Sequence, residues 1–270
     1  MELRHQALRV LAIADPQEKV AATQALWAQR ADLTLSLTDT LTPHGVHLPG
    51  RPVRPLLKPA RDVPSRSPFT LPGLAALMHA VCHIEFNAIN LALDAVWRFA
   101  NMPHAYYDDW LRVAFEESTH FVLVRDHLHK LGFAYGDFDA HDGLWSMCEK
   151  TCNDVVARMA VVPRTLEARG LDATPLIQEK LQRVGTPAAQ EASAILDIIL
   201  RDEVGHVAIG NHWYHWLCER QGLDPVAHDH ALVEKLEAPR LRPPFNTEAR
   251  RRAGFTPEEM KRYENQEARS

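Results

Sequence analysis

Two stretches of this chain place a glutamate and a histidine three residues apart. They are Glu117 and His120 in FEESTH, Phe115–His120, and Glu203 and His206 in LRDEVGHVAIG, Leu200–Gly210. On an α-helix that spacing puts a carboxylate and an imidazole on one face, about one turn apart. Two such turns on separate helices suggest the inward-facing ligands of a carboxylate-bridged two-metal site. The pattern alone decides little, because 18 Glu and 15 His among 270 residues give about one Glu-x-x-His by chance. A third match, Glu2 and His5, sits at the N-terminus without a partner turn and reads as that chance occurrence. Placement on the surrounding elements has to carry the argument.

The composition sets the frame for those elements. A hydrophobic content of 46% and a charged content of 24% are ordinary for a globular chain of this length. The formal charge of −5 gives no global attraction to nucleic acid. No uninterrupted apolar run approaches the roughly 20 residues that span a bilayer, so no membrane partner is expected. The opening MELRHQALRVLAIADP lacks a separate charged leader, a long apolar core and a small-residue cleavage site. A cytoplasmic protein is the expectation. Cys82, Cys148, Cys152 and Cys218 contain no Cys-x-x-Cys pair, which argues against a structural zinc site and for buried, reduced thiols.

Taken in order, residues 2–14 and 16–38 read as two helices, the second opened by Asp15-Pro16 as N-cap and first-turn proline. Residues 42–72 hold eight prolines from Pro43 to Pro72 and cannot be helix interior. Leu48, Val53, Leu56, Leu57, Val63 and Phe69 are interspersed there, so an arm packed on the body is expected rather than a free linker. Four long helices follow, at about 73–100, 104–131, 143–169 and 187–221. Gly132, Gly170 and Gly222 are stop signals, and Pro163 should kink the third helix. A short helix or 3₁₀ turn is expected at 174–183, another helix from Asp224-Pro225 to about Leu236, and two in the tail, at 246–253 and from Pro257. No segment alternates as a strand does. The expected fold is therefore all-α: a ferritin-like four-helix bundle at 73–222, with N-terminal helices and arm at 1–72 and a helical extension at 223–270.

Such a bundle needs lone Glu, Glu-x-x-His, lone Glu, Glu-x-x-His on successive helices. Glu85 is the one acid in the apolar centre of the first helix, where an unpaired carboxylate would cost several kcal/mol. Glu167 is the candidate on the third, with Glu149 as its rival. Glu85 precedes Glu117 by 32 residues and Glu167 precedes Glu203 by 36, as two copies of one hairpin would require, whereas Glu149 would make the second spacing 54. The metal set is thus Glu85, Glu117, His120, Glu167, Glu203 and His206. Oxygen and imidazole donors suit iron or manganese, either as a pair of one metal or as a mixed Mn/Fe pair. Metal-bound imidazoles hand their second N–H to a carboxylate, for which Glu116, Asp202, Asp197 and Asp94 are candidates. His141 and Asp142 in the loop GFAYGDFDAHDGLW, with His127, Tyr106 and Tyr214, are candidates for a substrate pocket. His79, His83, His212 and His215 read as packed or exposed rather than ligating.

Several longer stretches carry a resemblance. HIEFNAINLALDAVWRF, YYDDWLRVAFEESTHF, RMAVVPRTLEARGLDATP, ILRDEVGHVAIGNHW and PPFNTEARRRAGF are similar to the bacterial ferritin-like family of unknown function numbered 455. The resemblance implies a ferritin-like fold and supports the same six ligands, none of which departs from the family pattern. It brings no settled reaction. The wider superfamily includes dioxygen-activating hydroxylases, among them a transfer-RNA-modifying hydroxylase that this chain distantly resembles.

The leading expectation is a di-iron oxidoreductase, a hydroxylase or related oxidase, that uses dioxygen, a small organic substrate and an electron donor. A ferroxidase or peroxide-detoxifying protein without organic substrate is the second reading, and a non-catalytic, salt-bridged bundle the third. Arg240, Arg242, Arg250, Arg251 and Arg252 make the tail locally basic and leave a nucleic-acid role open, although such a run is more often solvated or salt-bridged surface.

Overall fold

The computed structural model describes residues 1–43, 45, 47–239 and 241–267. Among the described residues the chain is all-α, with no strand and only two isolated single-pair bridges, Glu2–Thr34 and Leu57–Ala140. It divides into two compact units, Met1–Trp145 and Ser146–Ser270.

The first unit is built on a helical hairpin of α3 (Leu71–Arg98) and α4 (His104–Lys130), preceded by α1 (Leu3–Leu11) and α2 (Pro16–Ala28). Thr70 caps α3 by accepting from the Gly73 amide, with Pro72 in the first turn. α3 is buried on nearly every face from Gly73 to Trp97, which is why its sequence reads as apolar all round. By composition it is long and apolar enough to cross a bilayer, yet 78% of that window is buried inside the protein. Phe86 packs on Phe121 with ring centroids 5.6 Å apart, and Tyr107 donates to the Phe99 carbonyl at 2.8 Å, so α4 runs back along α3. α1 lies on α3 and α2 on α4. The buried Lys19 ammonium joins them, donating to the carbonyls of Leu11 and Gly50 and to the Asn90 side chain.

The second helix stops well short of the expected residue 38. Beyond Ala28 the chain makes a 3₁₀ turn, Arg30–Asp32, and then turns extended so that Thr34 can pair with Met1 and Leu3. The Pro-rich segment is held against the first unit, but not by the apolar residues that suggested it. Val53 is 91% exposed and Phe69 62%. Attachment comes from backbone bonds between Leu56, Lys58 and Ala140, from the Arg51–Asp142 and Lys58–Asp139 ion pairs, and from the close approach of Gly50. A Cβ at Gly50 would lie 2.2 Å from the Ala12 carbonyl oxygen.

α5 (Gly143–Lys150) carries the chain into the second unit. There α6 (Val155–Val161), a π-helical turn (Val162–Glu167) and α7 (Ala168–Val184) form one arm of a hairpin whose other arm is α8 (Pro187–Gln221). The expected helix 143–169 is corrected in three ways. It breaks at 151–154, where Asp154 caps a new helix by accepting from the Ala157 amide. It does not stop at Gly170 but runs on to Val184 through the region expected to be separate, and ends where Gly185 takes φ 68°. Pro163, which has no N–H to donate, opens the ladder into a π turn rather than a plain kink. The Gln178 side chain donates to the Ser193 carbonyl and to Asp197, so α7 and α8 are antiparallel. At the other end Pro163 sits on Gly210, where a Cβ would meet the proline ring at 2.4 Å. α9 (Pro225–Lys235), α10 (Thr247–Arg252) and α11 (Pro257–Glu267) follow. Phe245, Phe255, Met260 and Tyr263 pack with Leu171 and Val207 in one apolar cluster.

Candidate metal centre

In the first unit the hairpin brings Glu85 of α3 to Glu117 and His120 of α4. All three are at least 97% buried. His120 Nδ1 lies 3.3 Å from Glu117 Oε2 and 3.4 Å from Glu85 Oε2. Burial disfavours a charge on this imidazole, but the hydrogen bonds it donates to Glu117 and Glu85 outweigh it and push the pKa up to about 11. One donor atom from each residue lies within 4.8 Å of the others, so the group could hold a metal ion. The donor chemistry fits. Two buried carboxylates and an imidazole are hard and borderline ligands, and buried carboxylates are tolerated where they are paired or coordinate a cation.

The second unit carries the same order of residues. Glu203 and His206 occupy one buried turn of α8, with Nδ1 3.9 Å from Oε1. Glu167 is the last residue of the π turn. Pro163, four residues before Glu167, packs on Gly210, four residues beyond His206. Glu149, the rival, is exposed near the end of α5.

The π turn is shaped by residues that the sequence reading did not single out. Thr165 Oγ1 donates to the Ala160 carbonyl at 3.0 Å, tying the turn back to α6. Arg164, almost fully buried, donates to Glu259 of α11 and lies 4.3 Å over the Tyr214 ring. Burial opposes ionisation of Glu259, but a hydrogen bond from His215, the Arg164 charge and the Thr256 amide hold its pKa down to about 2. The one sequence signal was Thr256-Pro257-Glu258-Glu259, a capping-box pattern.

The candidate carboxylate acceptors scatter. Asp94 is buried but clasped by Arg98, at 2.7–3.0 Å, and by the Trp97 indole, about 13 Å along α3 from Glu85 at 1.5 Å per residue. Asp197 is exposed and accepts from Gln178. Asp202 pairs with Arg201, and Glu116 is half-buried beside Glu117.

The candidate pocket residues are equally dispersed. Asp142 receives both Arg51 terminal nitrogens, at 2.7 and 2.8 Å, and so holds the Pro-rich arm. His141 is exposed, and its carbonyl accepts from His83. His127 is buried two turns beyond His120, and Tyr106 is buried against Tyr107 and Trp110. Tyr214 donates to the Pro225 carbonyl at 2.8 Å, and burial raises its pKa.

The helix histidines His79 and His83 have another task, holding the loop after α4. His79 Nε2 accepts from the Gly136 amide at 2.9 Å. His83 Nδ1 meets the Tyr135 hydroxyl at 2.9 Å, and its Nε2 lies 3.2 Å from the His141 carbonyl and 3.0 Å from the Asn87 amide nitrogen.

A cavity of about 680 Å³ in the second unit is lined by Thr165 of the π turn, Asp229, Glu234 and Val233 of α9, and Leu241 and Tyr263 of the tail. None of the five candidate pocket residues lines it. The basic tail is also less free than its composition suggests. Arg250 is fully buried on Asp172 and Arg251 pairs with Glu264, while Arg240 lies outside the described residues.

A family model described as "Protein of unknown function (DUF455)" matches residues 12–261. A protein of Haemophilus influenzae, described as an uncharacterized protein, is 54% identical over 216 residues, covering 77% of this chain and 74% of its own length. No solved structure matches.

Proposed function

The chain belongs to the DUF455 family, and from that premise we propose that it is a ferritin-like di-iron carboxylate protein. Its proposed reaction is a dioxygen-activating oxidation, of the hydroxylase type, on a small organic substrate. The observation that carries the reading is the buried Glu85–Glu117–His120 group on facing helices of one hairpin. The second hairpin carries the same order of residues, Glu167 and then Glu203 and His206. From this residue order we infer six ligands for two ions, each hairpin giving one lone carboxylate and one Glu-x-x-His.

Four carboxylates neutralise two divalent cations, and the mixed oxygen and nitrogen set favours iron, with manganese as the alternative occupant. Bound ferrous iron would supply the electrons that reduce dioxygen. The residues of the chain bind and orient. The carboxylates hold charge in a water-poor interior, and His120 must give up the proton it shares with Glu85 and Glu117 before its Nδ1 can ligate. The cavity beside the π turn is of a size that small-molecule sites have. It is lined in part by Thr165 of the turn that ends in Glu167, and it is the feature that favours an organic substrate in this reading.

Anaerobic titration with ferrous iron, followed by exposure to dioxygen, tests the proposal. Two ions per chain, and consumption of about one dioxygen per filled site, are expected. E117A and H120A are expected to lower affinity for at least one ion by 10-fold or more. Absence of bound metal in the wild type would overturn the metal reading. Repeated oxidation of added ferrous iron, without any effect of organic molecules, would instead favour a ferroxidase.

A further inference from the structure

The π turn that ends in Glu167 is gripped on both sides by the C-terminal tail. On its near side the Arg164 guanidinium, 3% exposed, donates to Glu259 Oε1 at 2.5 Å and lies 5.2 Å over the Phe255 ring. Glu259 is fixed in turn. It accepts from His215 of α8 at 3.0 Å and from the Thr256 amide at 2.8 Å, and its own amide donates to Thr256 Oγ1 at 3.3 Å. That is a capping box at the start of α11, so the residue that opens the terminal helix also holds the turn. On the far side Arg250, with no exposed surface, grips the Asp172 carboxylate through Nε and Nη2 and reaches the Ala168 carbonyl at 3.4 Å. Asn246 adds a bond to the Leu171 carbonyl at 3.2 Å.

Buried ion pairs of this kind give little net stability compared with apolar packing, because desolvation offsets most of the attraction. What they do supply is a fixed geometry for the segment between them. That segment is one residue out of α phase, and an extra residue rotates everything beyond it by about 100° around the helix axis. If the turn relaxed to regular α-helix, Glu167 would leave the helix face it now occupies.

We propose that Glu259, acting through Arg164, is a positioning residue that holds the π turn in the register that orients Glu167 as a metal ligand. The inference rests on the reading of Glu167 as a ligand. Glu259 touches neither metal nor substrate in this account; it acts only on the turn.

Stepwise anaerobic titration with cobalt(II), read by its visible absorption, tests this in wild type, E167Q, E259Q and R251A, alongside hydrogen–deuterium exchange of the apo proteins. The wild type should bind two cobalt ions per chain, and E167Q should weaken one of them at least 10-fold. E259Q should weaken that same ion about 10-fold and leave the other within 2-fold. Its amides over 162–172 should exchange faster while those over 199–210 stay unchanged. R251A, which alters an exposed tail pair, should match wild type throughout. E259Q binding both ions as wild type does, or losing both equally, overturns the positioning role alone. A wild type that binds no cobalt overturns the metal reading first, and unchanged exchange over 162–172 overturns the brace without reference to metal. If E259Q does not fold, R164K keeps the charge but loses the planar guanidinium, and is judged by the same criteria.

Discussion

The buried histidines of α3 and α4 do different work, and the difference is set by what each imidazole faces. His120 faces two carboxylates, which hold a proton on it. His79 and His83 face an amide, a hydroxyl and a carbonyl of the loop after α4, and burial lowers both of their pKa values to about 4. For His79 the nearby Asp137 and Asp139 oppose that shift; for His83 the bond to His141 opposes it, while His79, His141 and Arg51 add to it. Both are therefore neutral when folded and have an ordinary value near 6.5 when unfolded. Below pH 6.5 the unfolded chain binds protons that the folded chain does not, so stability falls as pH drops from 6.5 toward 4. Denaturant unfolding across that window should show a loss on the order of 2 kcal/mol or more, with the slope reduced in H79Q and H83Q. A flat profile would show that these imidazoles are not held neutral. Sequence reading placed both histidines off the ligand face by helical phase alone. It could not find their loop partners, because Tyr135 and Gly136 are more than 50 residues away in sequence.

At the scale of elements, the two hairpins and the Pro-rich arm follow different rules. The helices that sequence located most closely, α3, α4 and α8, have a capping residue, a first-turn proline or a terminal glycine at their ends. The third helix was misjudged because Gly170 is an ordinary helical glycine. The true stop is Gly185, which takes φ 68°, and the π turn at Val162–Glu167 forms where Pro163 meets α8 at Gly210. The arm is fastened by polar contacts where its apolar residues had suggested burial. The Arg51–Asp142 pair is bidentate and about one-third exposed, worth on the order of 1 kcal/mol. D142A should raise amide exchange or protease cleavage across 51–58 several-fold while α3 and α4 keep their protection. Equal loosening of α3 would mean that the pair supports the hairpin and not the arm alone.

At the scale of the whole molecule, the duplicated pattern makes a claim that one hairpin cannot. If ligands from both units share the proposed ions, metal must stabilise the folded chain through both. At a free concentration of 100 times Kd, ferrous or manganous ion should add about 2.7 kcal/mol, read as a rise in Tm under anaerobic conditions. E117A, in the first unit, and E203A, in the second, should each remove most of that rise. Retention of the full shift by E203A would confine the metal to the first unit. The sequence alone determined the all-α class and the helical phase of each Glu-x-x-His turn, because helix periodicity is local and capping signals lie within a few residues. Only the tertiary structure decided that Glu85, Glu117 and His120 converge, that Asp94 belongs to Arg98 and Trp97, and that Arg250 of the basic tail is buried on Asp172. It also decided that Glu167 ends a π turn braced by Glu259, 92 residues away. Those outcomes depend on which distant side chain shares a desolvated space, and no periodicity along the chain encodes that.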